Sequence, residues 1–258
     1  MTIKSFFGKI LAKRDVIQTK RWSANPLDTQ HKVLRQLLKT GANTAFGKDH
    51  HFSKINNYED FKAQVPVRDY EGLKPYVERV KNGEQNILWK GSPLFFAKTS
   101  GTTSGAKYIP LTKESLAYQI KAAKSALLHY IVDSGNHDFI NGKMIFLQGS
   151  PELNMNPKVP NGRLSGIVAN FVPSYLQTNR LPSYKTNCIE DWDKKVNAII
   201  EETLPEDMRL ISGIPSWVQV YFERLQAKTG KTISEIFPNL SLFVYGGVSY
   251  EPYRKKFE

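Results

Sequence analysis

Residues 99–107 carry residue types suited to holding phosphate groups. Their sequence is TSGTTSGAK, in which every residue from 99 to 105 is glycine, serine or threonine. Glycines tolerate backbone angles that are closed to other residues, so successive N–H groups can converge on one anion. The hydroxyl groups add donors, and Lys107 adds a positive charge. The stretch predicts a polyphosphate-binding loop, with these candidate ligands: Thr99, Ser100, Gly101, Thr102, Thr103, Ser104, Gly105 and Lys107.

The spacing within this loop is not that of a Walker P-loop. Only three residues separate Gly101 from Gly105, and Lys107 follows two positions later, whereas the Walker pattern places lysine directly after its second glycine. The spacing therefore disfavours a P-loop kinase or GTPase. A plain hairpin loop is the structural alternative, because turns use the same residue types. The apolar Phe95–Ala97 before the loop favours phosphate binding.

The loop resembles the phosphate-loop signature of the adenylate-forming superfamily, with Ala106 in a position where many members have proline. Residues 58–80, YEDFKAQVPVRDYEGLKPYVERV, together with the loop resemble the Gretchen Hagen 3 family. This family comprises acyl-acid-amido synthetases known from plant auxin conjugation and also found in bacteria. The resemblance runs from about Thr44 to the last residue.

The resemblance implies an α/β fold, namely the N-terminal large domain of the adenylate-forming fold, in which helices flank the sheets. The domain would be incomplete in this chain. It divides the chain into a helical region, residues 1–94, and a partial α/β adenylating domain, residues 95–258, as a single truncated domain. The chain would form about the first half of such an enzyme. The implied reaction is ATP-dependent adenylation of a carboxylic acid, followed by amide formation with an amine or amino acid. An acyl-CoA ligase and a non-catalytic nucleotide-binding fragment are the alternatives.

The resemblance also assigns roles to residues. Lys107 would act in catalysis by offsetting leaving-group charge, and ATP would bind with Mg²⁺ bridging its phosphate oxygens. The glycine pair after the last strand would contact adenine through Gly246, Gly247 and Val248. In the word ISGIPSW, Ser216 and Trp217 would contact the acid substrate. A plain turn at the glycines and a core-anchoring role for Trp217 are the structural alternatives.

Secondary-structure patterns place these residues on elements. Helical spacing and capping residues predict several helices before residue 95, among them Pro26–Thr40, a short helix after Asn57, and Tyr70–Asn82. After residue 95 strands and helices alternate, which predicts helices packed on a sheet. The clearest elements of this second part are a helix at 113–134 that begins at Thr112 and strands at 143–148, 208–212 and 240–245.

Residues 1–21 predict an amphipathic basic helix, with Ile3, Phe6, Phe7, Ile10 and Leu11 at helical spacing between lysines and arginines. Such a helix either anchors a protein at a membrane surface or caps its own domain. We favour the capping helix, because apolar stripes usually face a protein core.

The bulk properties limit the class of protein. The 258 residues are 40% hydrophobic, which is typical of a globular protein, and neither a membrane-spanning run nor a signal peptide is present, so we expect a cytoplasmic protein. The net charge of +12 suits polyanions such as ATP, yet its scatter along the sequence gives no nucleic-acid signature. The single Cys188 and the spacing of the five histidines predict no disulfide and no metal site.

Overall fold

The structure is a computed structural model and describes residues 3–99, 105–155, 158–171 and 177–257. Contacts between residues divide it into two compact units. The parallel-sheet unit comprises Met1–Lys13, Leu127–Glu152 and Val168–Glu258. The hairpin unit comprises Arg14–Ala126 and Leu153–Ile167. The expected division into residues 1–94 and 95–258 was based on the type of secondary structure and not on contacts between residues. That division stays a prediction.

The first part of the hairpin unit is helical, and side chains at the predicted N-caps begin its helices. Asn57 accepts a hydrogen bond from Asp60 N at 2.9 Å, and Asp69 accepts one from Gly72 N at 2.9 Å. Each bond satisfies a backbone donor that the first turn leaves unpaired. The helices before residue 95 are α1 (Ile3–Ser23), α2 (Pro26–Gly41), α3 (Ala45–Asp49), a 3₁₀ turn (Phe52–Lys54), α4 (Tyr58–Gln64) and α5 (Tyr70–Lys81).

A three-stranded sheet follows in the same unit, with β1 (Phe95–Lys98) at its centre. The strand β2 (Tyr108–Leu111) pairs with it antiparallel and β4 (Asn161–Gly162) pairs with it parallel. Phe96 packs in a buried cluster with residues of α5, which fixes the helix against the hairpin. The other buried members of this cluster are Val77, Val80, Ile87 and Val159.

The parallel-sheet unit contains four parallel strands in the order β5, β3, β6, β7. Their ranges are β3 (Lys143–Phe146), β5 (Arg180–Leu181), β6 (Met208–Gly213) and β7 (Leu242–Tyr245). The apolar faces of the helices after β5 and β6 meet the sheet in one large core. The remaining helices within the described residues are α6 (Lys113–Ser134), α7 (Leu164–Ala169), α8 (Tyr184–Asn187), α9 (Trp192–Thr203), α10 (Pro215–Thr229), α11 (Ile233–Ile236), α12 (Arg254–Phe257) and 3₁₀ turns at Asp138–Asn141 and Glu251–Tyr253.

The predicted α/β class is confirmed, and the strands of the parallel sheet all end at one edge. Because its four strands run the same way, the residues that follow them emerge at one edge of the sheet. This carboxyl edge carries Gln148 after β3, Ser183 after β5, Ile214 after β6 and Gly246 after β7. Ligands of open α/β sheets bind outside the carboxyl ends of strands, so this edge is where a site is expected.

The helix at the N-terminus is confirmed, but the prediction of its buried face is wrong. Phe6, Phe7 and Leu11 are 48%, 58% and 45% exposed, whereas Ser5 and Ala12 are fully buried. The small side chain of Ala12 fits into a buried cluster with Leu128, Ile131, Phe139, Met144 and Leu210. Close approach of the backbone, and not a large apolar stripe, therefore seats this part of α1 on the parallel-sheet unit.

Most large apolar side chains of α2 are also exposed. Leu27, Val33 and Leu37 are exposed, and the buried residues of the helix are Leu38 and Gly41. Within the described residues, we find no helix that is both long and apolar enough to cross a lipid bilayer.

Candidate functional site

The predicted phosphate loop joins β1 to β2, and two hydrogen bonds close its base. Thr99 N donates to Lys107 O at 3.0 Å, and Lys107 N donates to Thr99 Oγ1 at 3.2 Å. These bonds continue the ladder one residue beyond the last strand pair, Lys98 and Tyr108. The loop therefore starts and ends at a fixed base.

The described part of the loop includes one residue in a conformation that favours glycine. Gly105 has φ of +80°, in the left-handed region. A side chain at this position would meet no atom within 4 Å, so only the backbone angle restricts the residue type. Ser100, Gly101, Thr102, Thr103 and Ser104 lie outside the described residues, and their ligand roles stay predictions.

The Lys107 side chain rests on an aromatic ring. Its Nζ lies 5.6 Å from the centre of the Tyr70 ring, a distance at which cation and ring attract each other. The Tyr70 hydroxyl in turn accepts a hydrogen bond from Tyr108 N at 2.9 Å. Tyr70 is the first residue of α5. Its hydroxyl bonds the first residue of β2, and its ring supports the lysine.

Lys107 and a neighbouring lysine differ in whether a carboxylate pairs with their ammonium group. Lys81 Nζ lies 4.6 Å from the centre of the Tyr108 ring, but it also bonds the Glu78 carboxylate at 2.9 Å. Within the described part of the chain, the ion pairs found include no carboxylate on Lys107. A half-exposed ammonium that pairs with no carboxylate of the described residues, beside a hydroxyl-rich loop, is suited to binding an anion.

The glycine pair after β7 leaves its backbone open. An added side chain at Gly246 would meet no atom within 4 Å, and Gly247 has φ of +87°. The flanking Tyr245 and Tyr250 rings stack with centroids 4.4 Å apart. Val248 is 47% exposed. A flat ligand can therefore approach the backbone here, although the adenine role of these residues stays a prediction.

Ser216 and Trp217 lie in the first turn of α10, directly after β6. Ile214 precedes the helix and Pro215 is its first residue, a position where proline's missing N–H is no loss. The Trp217 ring packs against Trp192 of α9 with centroids 4.8 Å apart. Trp217 thus has a packing role, and the substrate contacts of both residues stay predictions.

The structure brings part of the predicted site together. Because β6 and β7 are parallel neighbours, with Gly213 paired to Tyr245, the Ser216–Trp217 turn and the glycine pair share the carboxyl edge of one sheet. Thr99, Gly105 and Lys107 belong to the hairpin unit.

Sequence reasoning missed a second group of polar residues at this edge. Gln148, Arg180 and Asn187 line one pocket, and none of them was assigned to a site from the sequence. Burial lowers the pKa of the Arg180 guanidinium, because an apolar surrounding disfavours the charged form. One feature of the sequence could have indicated this polar group. Lys195 lies beside the apolar face of α9, and the structure shows that Lys195 is buried.

The described residues contain no group of three or more His, Cys, Asp or Glu side chains that could hold a metal ion. A bound Mg²⁺ usually keeps several waters and uses one or two carboxylates together with substrate phosphates. An Mg²⁺ ion that binds together with a nucleotide would therefore need fewer protein ligands than such a group contains.

Comparison with known proteins gives a family match. The model described as GH3 family N-terminal domain matches residues 17–170. Indole-3-acetic acid-amido synthetase GH3.2 of Arabidopsis thaliana is 35% identical over 94 residues, which are 36% of this chain and 17% of that protein. Indole-3-acetic acid-amido synthetase GH3.15 of the same plant is 31% identical over 163 residues, which are 61% of this chain and 26% of that protein.

Solved structures confirm the fold. The GH3.15 acyl acid amido synthetase in complex with 2,4-DB superposes with a TM-score of 0.66 at 20% identity, covering 87% of this chain and 42% of that one. A second GH3.15 structure gives a TM-score of 0.64 at 19% identity, covering 85% and 41%. The chain thus spans less than half the length of the relatives it matches.

Proposed function

Because the chain belongs to the GH3 family, we propose that the protein uses ATP to adenylate a carboxylic acid and then forms an amide with an amine or amino acid. The observation that carries this proposal is the pair of hydrogen bonds between Thr99 and Lys107. They hold a hydroxyl-rich loop at a fixed base, with a lysine beside it that has no carboxylate partner in the described residues.

The proposed first step needs charge neutralisation more than covalent chemistry. The substrate carboxylate attacks the α-phosphorus of ATP, the bond from that phosphorus to the bridging oxygen breaks, and pyrophosphate leaves with the electron pair. Backbone N–H groups and hydroxyls of the loop stabilise the β and γ phosphates, and Lys107 offsets the charge on the leaving group. In the second step the amine attacks the acyl carbon, the bond from that carbon to the AMP oxygen breaks, AMP leaves with the electron pair, and the amine nitrogen loses a proton.

The remaining proposed contacts lie at the carboxyl edge of the parallel sheet. Gly246, Gly247 and Val248 would hold adenine, because their open backbone lets a flat ring approach. Ser216 and Trp217 would contact the acid at the start of α10. Mg²⁺ would accompany the nucleotide on its phosphates and would supply positive charge there.

The names of two relatives support a proposal for the class of substrate. The two plant proteins are named for indole-3-acetic acid and amide synthesis. For the present protein we propose a small carboxylic acid as the acyl donor and an amino acid as the acceptor. The two alternatives differ in the steps they catalyse. An acyl-CoA ligase would catalyse only the first of these two steps, and a fragment that only binds nucleotide would catalyse neither step.

Pyrophosphate exchange tests the first step. Full-length protein should exchange labelled pyrophosphate into ATP only when a carboxylic acid substrate is present. Lys107→Ala should slow this exchange about 10- to 100-fold, the loss expected for one hydrogen bond to a charged group. Lys121→Ala is the matched control, because Lys121 is an exposed lysine of α6 and should leave the rate unchanged. Equal exchange by Lys107→Ala and the parent would refute the role of the loop.

Product analysis tests the second step. The protein is incubated with ATP and the acid together with either a mixture of amino acids or coenzyme A. An amide from the first mixture supports the proposal. A thioester from the second, with no amide from the first, would instead assign the protein as an acyl-CoA ligase.

A further inference from the structure

The first half of α1 presents its large apolar side chains on the side of the helix that faces away from the protein. Successive side chains are about 100° apart around an α-helix, so four apolar residues fall within about 140° of its circumference. These four residues form the outer face of α1: Phe6, Phe7, Ile10 and Leu11. Ser5 and Ala12, which are buried, lie about 180° from the middle of that arc.

The opposite side of the helix is fixed to the parallel-sheet unit. Asn141 Nδ2 donates a hydrogen bond to Ser5 Oγ at 3.0 Å. Gly8 also lies close to this unit, because a Cβ atom added to Gly8 would come within 3.1 Å of Ile140 Cδ1. Together with the burial of Ala12, these contacts set the rotation of the helix about its axis. The outer face is therefore held toward solvent.

The outer face is a continuous apolar surface. The rings of Phe6 and Phe7 contact each other edge to face, with centroids 5.8 Å apart, and both side chains are about half exposed. Leu11, one turn further along the helix, is exposed to a similar degree. Single exposed apolar side chains are ordinary, but a contiguous group of large ones marks a surface that binds an apolar partner.

The same part of the chain is positively charged. Residues 1–13 contain Lys4, Lys9 and Lys13 and no acidic residue. Lys9 and Lys13 lie about 20–60° from Phe6 around the helix, along one border of the outer face. None of the ion pairs among the described residues involves Lys9 or Lys13. A partner that is apolar inside and anionic at its surface would complement both the face and its border.

We propose that the outer face of α1 docks on an anionic lipid surface, with its apolar side chains among the lipid chains and Lys9 and Lys13 at the headgroups. Helices of this kind lie in the plane of the interface and bury their apolar face by about 5–10 Å. Charge complementarity favours this partner over a second copy of the chain, because two copies that met through this face would bring lysines together. The proposal needs none of the residues proposed to bind ATP or the acid.

Co-sedimentation of the full-length protein with lipid vesicles tests the proposal. Vesicles of phosphatidylcholine alone are compared with vesicles in which about one third of the lipid is phosphatidylserine. We expect the protein to bind the anionic vesicles at least about tenfold more tightly, because three or more lysines approach their surface. Raising the salt concentration should weaken this binding, since salt screens the lysines from the headgroups.

A pair of substitutions tests the apolar side chains. Phe6→Gln combined with Phe7→Gln should weaken binding to the anionic vesicles at least about tenfold, because two rings no longer leave water on binding. Val67→Gln combined with Met155→Gln is the matched control, since both residues are exposed and apolar but lie outside α1. This control should bind as the parent does.

A second pair of substitutions tests the lysines. Lys9→Gln combined with Lys13→Gln should weaken binding about 10- to 30-fold, because each basic residue near an anionic surface contributes about fivefold. Lys121→Gln combined with Lys124→Gln removes the same charge from exposed positions of α6 and should weaken binding less than about threefold. Thermal unfolding verifies that each variant is folded. If the double phenylalanine variant does not fold, Phe7→Gln alone should weaken binding about 3- to 10-fold.

The proposal is overturned if the parent binds neither kind of vesicle, or if a folded phenylalanine variant binds the anionic vesicles as tightly as the parent. When vesicle binding is absent, two measurements identify the occupant of the face instead. A concentration-dependent dimer that the phenylalanine variant loses would assign the face to a second copy of the chain. A lower melting temperature of that variant, without a dimer, would assign it to another part of the full-length protein. Pyrophosphate exchange is measured without vesicles, so failure of the adenylation proposal is recognised separately.

Discussion

Thr99 and Lys107 bond each other twice across the base of the β1–β2 loop, once between backbones and once through the Thr99 hydroxyl. The distances are 3.0 Å for Thr99 N to Lys107 O and 3.2 Å for Lys107 N to Thr99 Oγ1. The two residues that limit the candidate phosphate loop therefore also close it. The backbone bond is independent of residue type, whereas the second bond requires a hydroxyl.

Thr99→Val should weaken ATP binding in the full-length protein about 3- to 10-fold, because it removes the hydroxyl bond worth about 0.5–1.5 kcal/mol and keeps the side-chain shape. Thr99→Ser is the matched control, since it retains the hydroxyl, and it should bind ATP nearly as the parent does. The KM for ATP in pyrophosphate exchange measures the effect. Similar values for the valine and serine variants would show that the hydroxyl has no part in closing the loop.

Gly105→Ala should destabilise the loop conformation by about 1–2 kcal/mol, the cost of a left-handed backbone for a residue with a side chain. The effect is conformational, because the added methyl group would meet no atom within 4 Å. Gly246→Ala is the comparison: its space is equally open but its φ is not positive, so it should leave stability within about 0.5 kcal/mol of the parent. Chemical denaturation measures the stability of the two variants, and ATP titration measures the effect of Gly105→Ala on the loop. A stability loss for Gly246→Ala as large as for Gly105→Ala would contradict this account.

Lys195→Met should destabilise the folded protein by about 2–4 kcal/mol, because it leaves the carbonyl oxygens of Gln148 and Asn187 without their shared donor. Lys194→Met changes the preceding exposed lysine of α9 and should alter stability by no more than about 0.5 kcal/mol. The free energy of unfolding from urea denaturation is the measurement. Equal stabilities of the two variants would show that the buried ammonium is not a structural donor.

Glu202→Gln should lower stability at neutral pH by about 1–2 kcal/mol through weakened hydrogen bonds to Ser183 and Thr186. Burial opposes ionisation of Glu202, but these hydrogen bonds outweigh it and hold the carboxyl pKa below its ordinary value of 4.5. A lowered pKa in the folded state contributes stability that is fully present above pH 4.5 and is lost as the pH falls through the lower folded value.

The difference in unfolding free energy between parent and Glu202→Gln should therefore stay constant from pH 7 to about pH 5 and shrink at more acid pH. Urea denaturation across this range measures it. Glu190→Gln, an exposed position before α9, is the control and should show no such difference. A difference that grows on acidification would mean that the Glu202 pKa is raised in the folded protein.

Local features of the chain were predictable because few residues encode them. Asn57, Asp69 and Thr112 begin their helices through hydrogen bonds to backbone groups three residues ahead, so a short word contains both partners. The strands on either side of the candidate phosphate loop follow from its apolar flanks in the same way. The family was recognised from two short stretches, residues 58–80 and the loop, and the family model covers both.

Contacts between distant segments were not predictable from such short sequence motifs. Large apolar residues on α1 predicted a buried stripe, but packing selects the small Ser5 and Ala12. Tyr70 supports Lys107 from a helix that ends well before the loop. No local pattern specifies which of several aromatic residues will lie beneath the lysine.

The sequence alone determined the family, the α/β class, the helix starts and the glycine- and hydroxyl-rich loop ahead of Lys107. Only the tertiary structure decided that Gln148, Arg180 and Asn187 line one pocket. The reason is the strand order β5, β3, β6, β7, which does not follow the chain and makes β5 the neighbour of β3. Periodicity reports which face of an element is apolar, but the neighbour of each strand depends on how the whole sheet minimises exposed apolar surface.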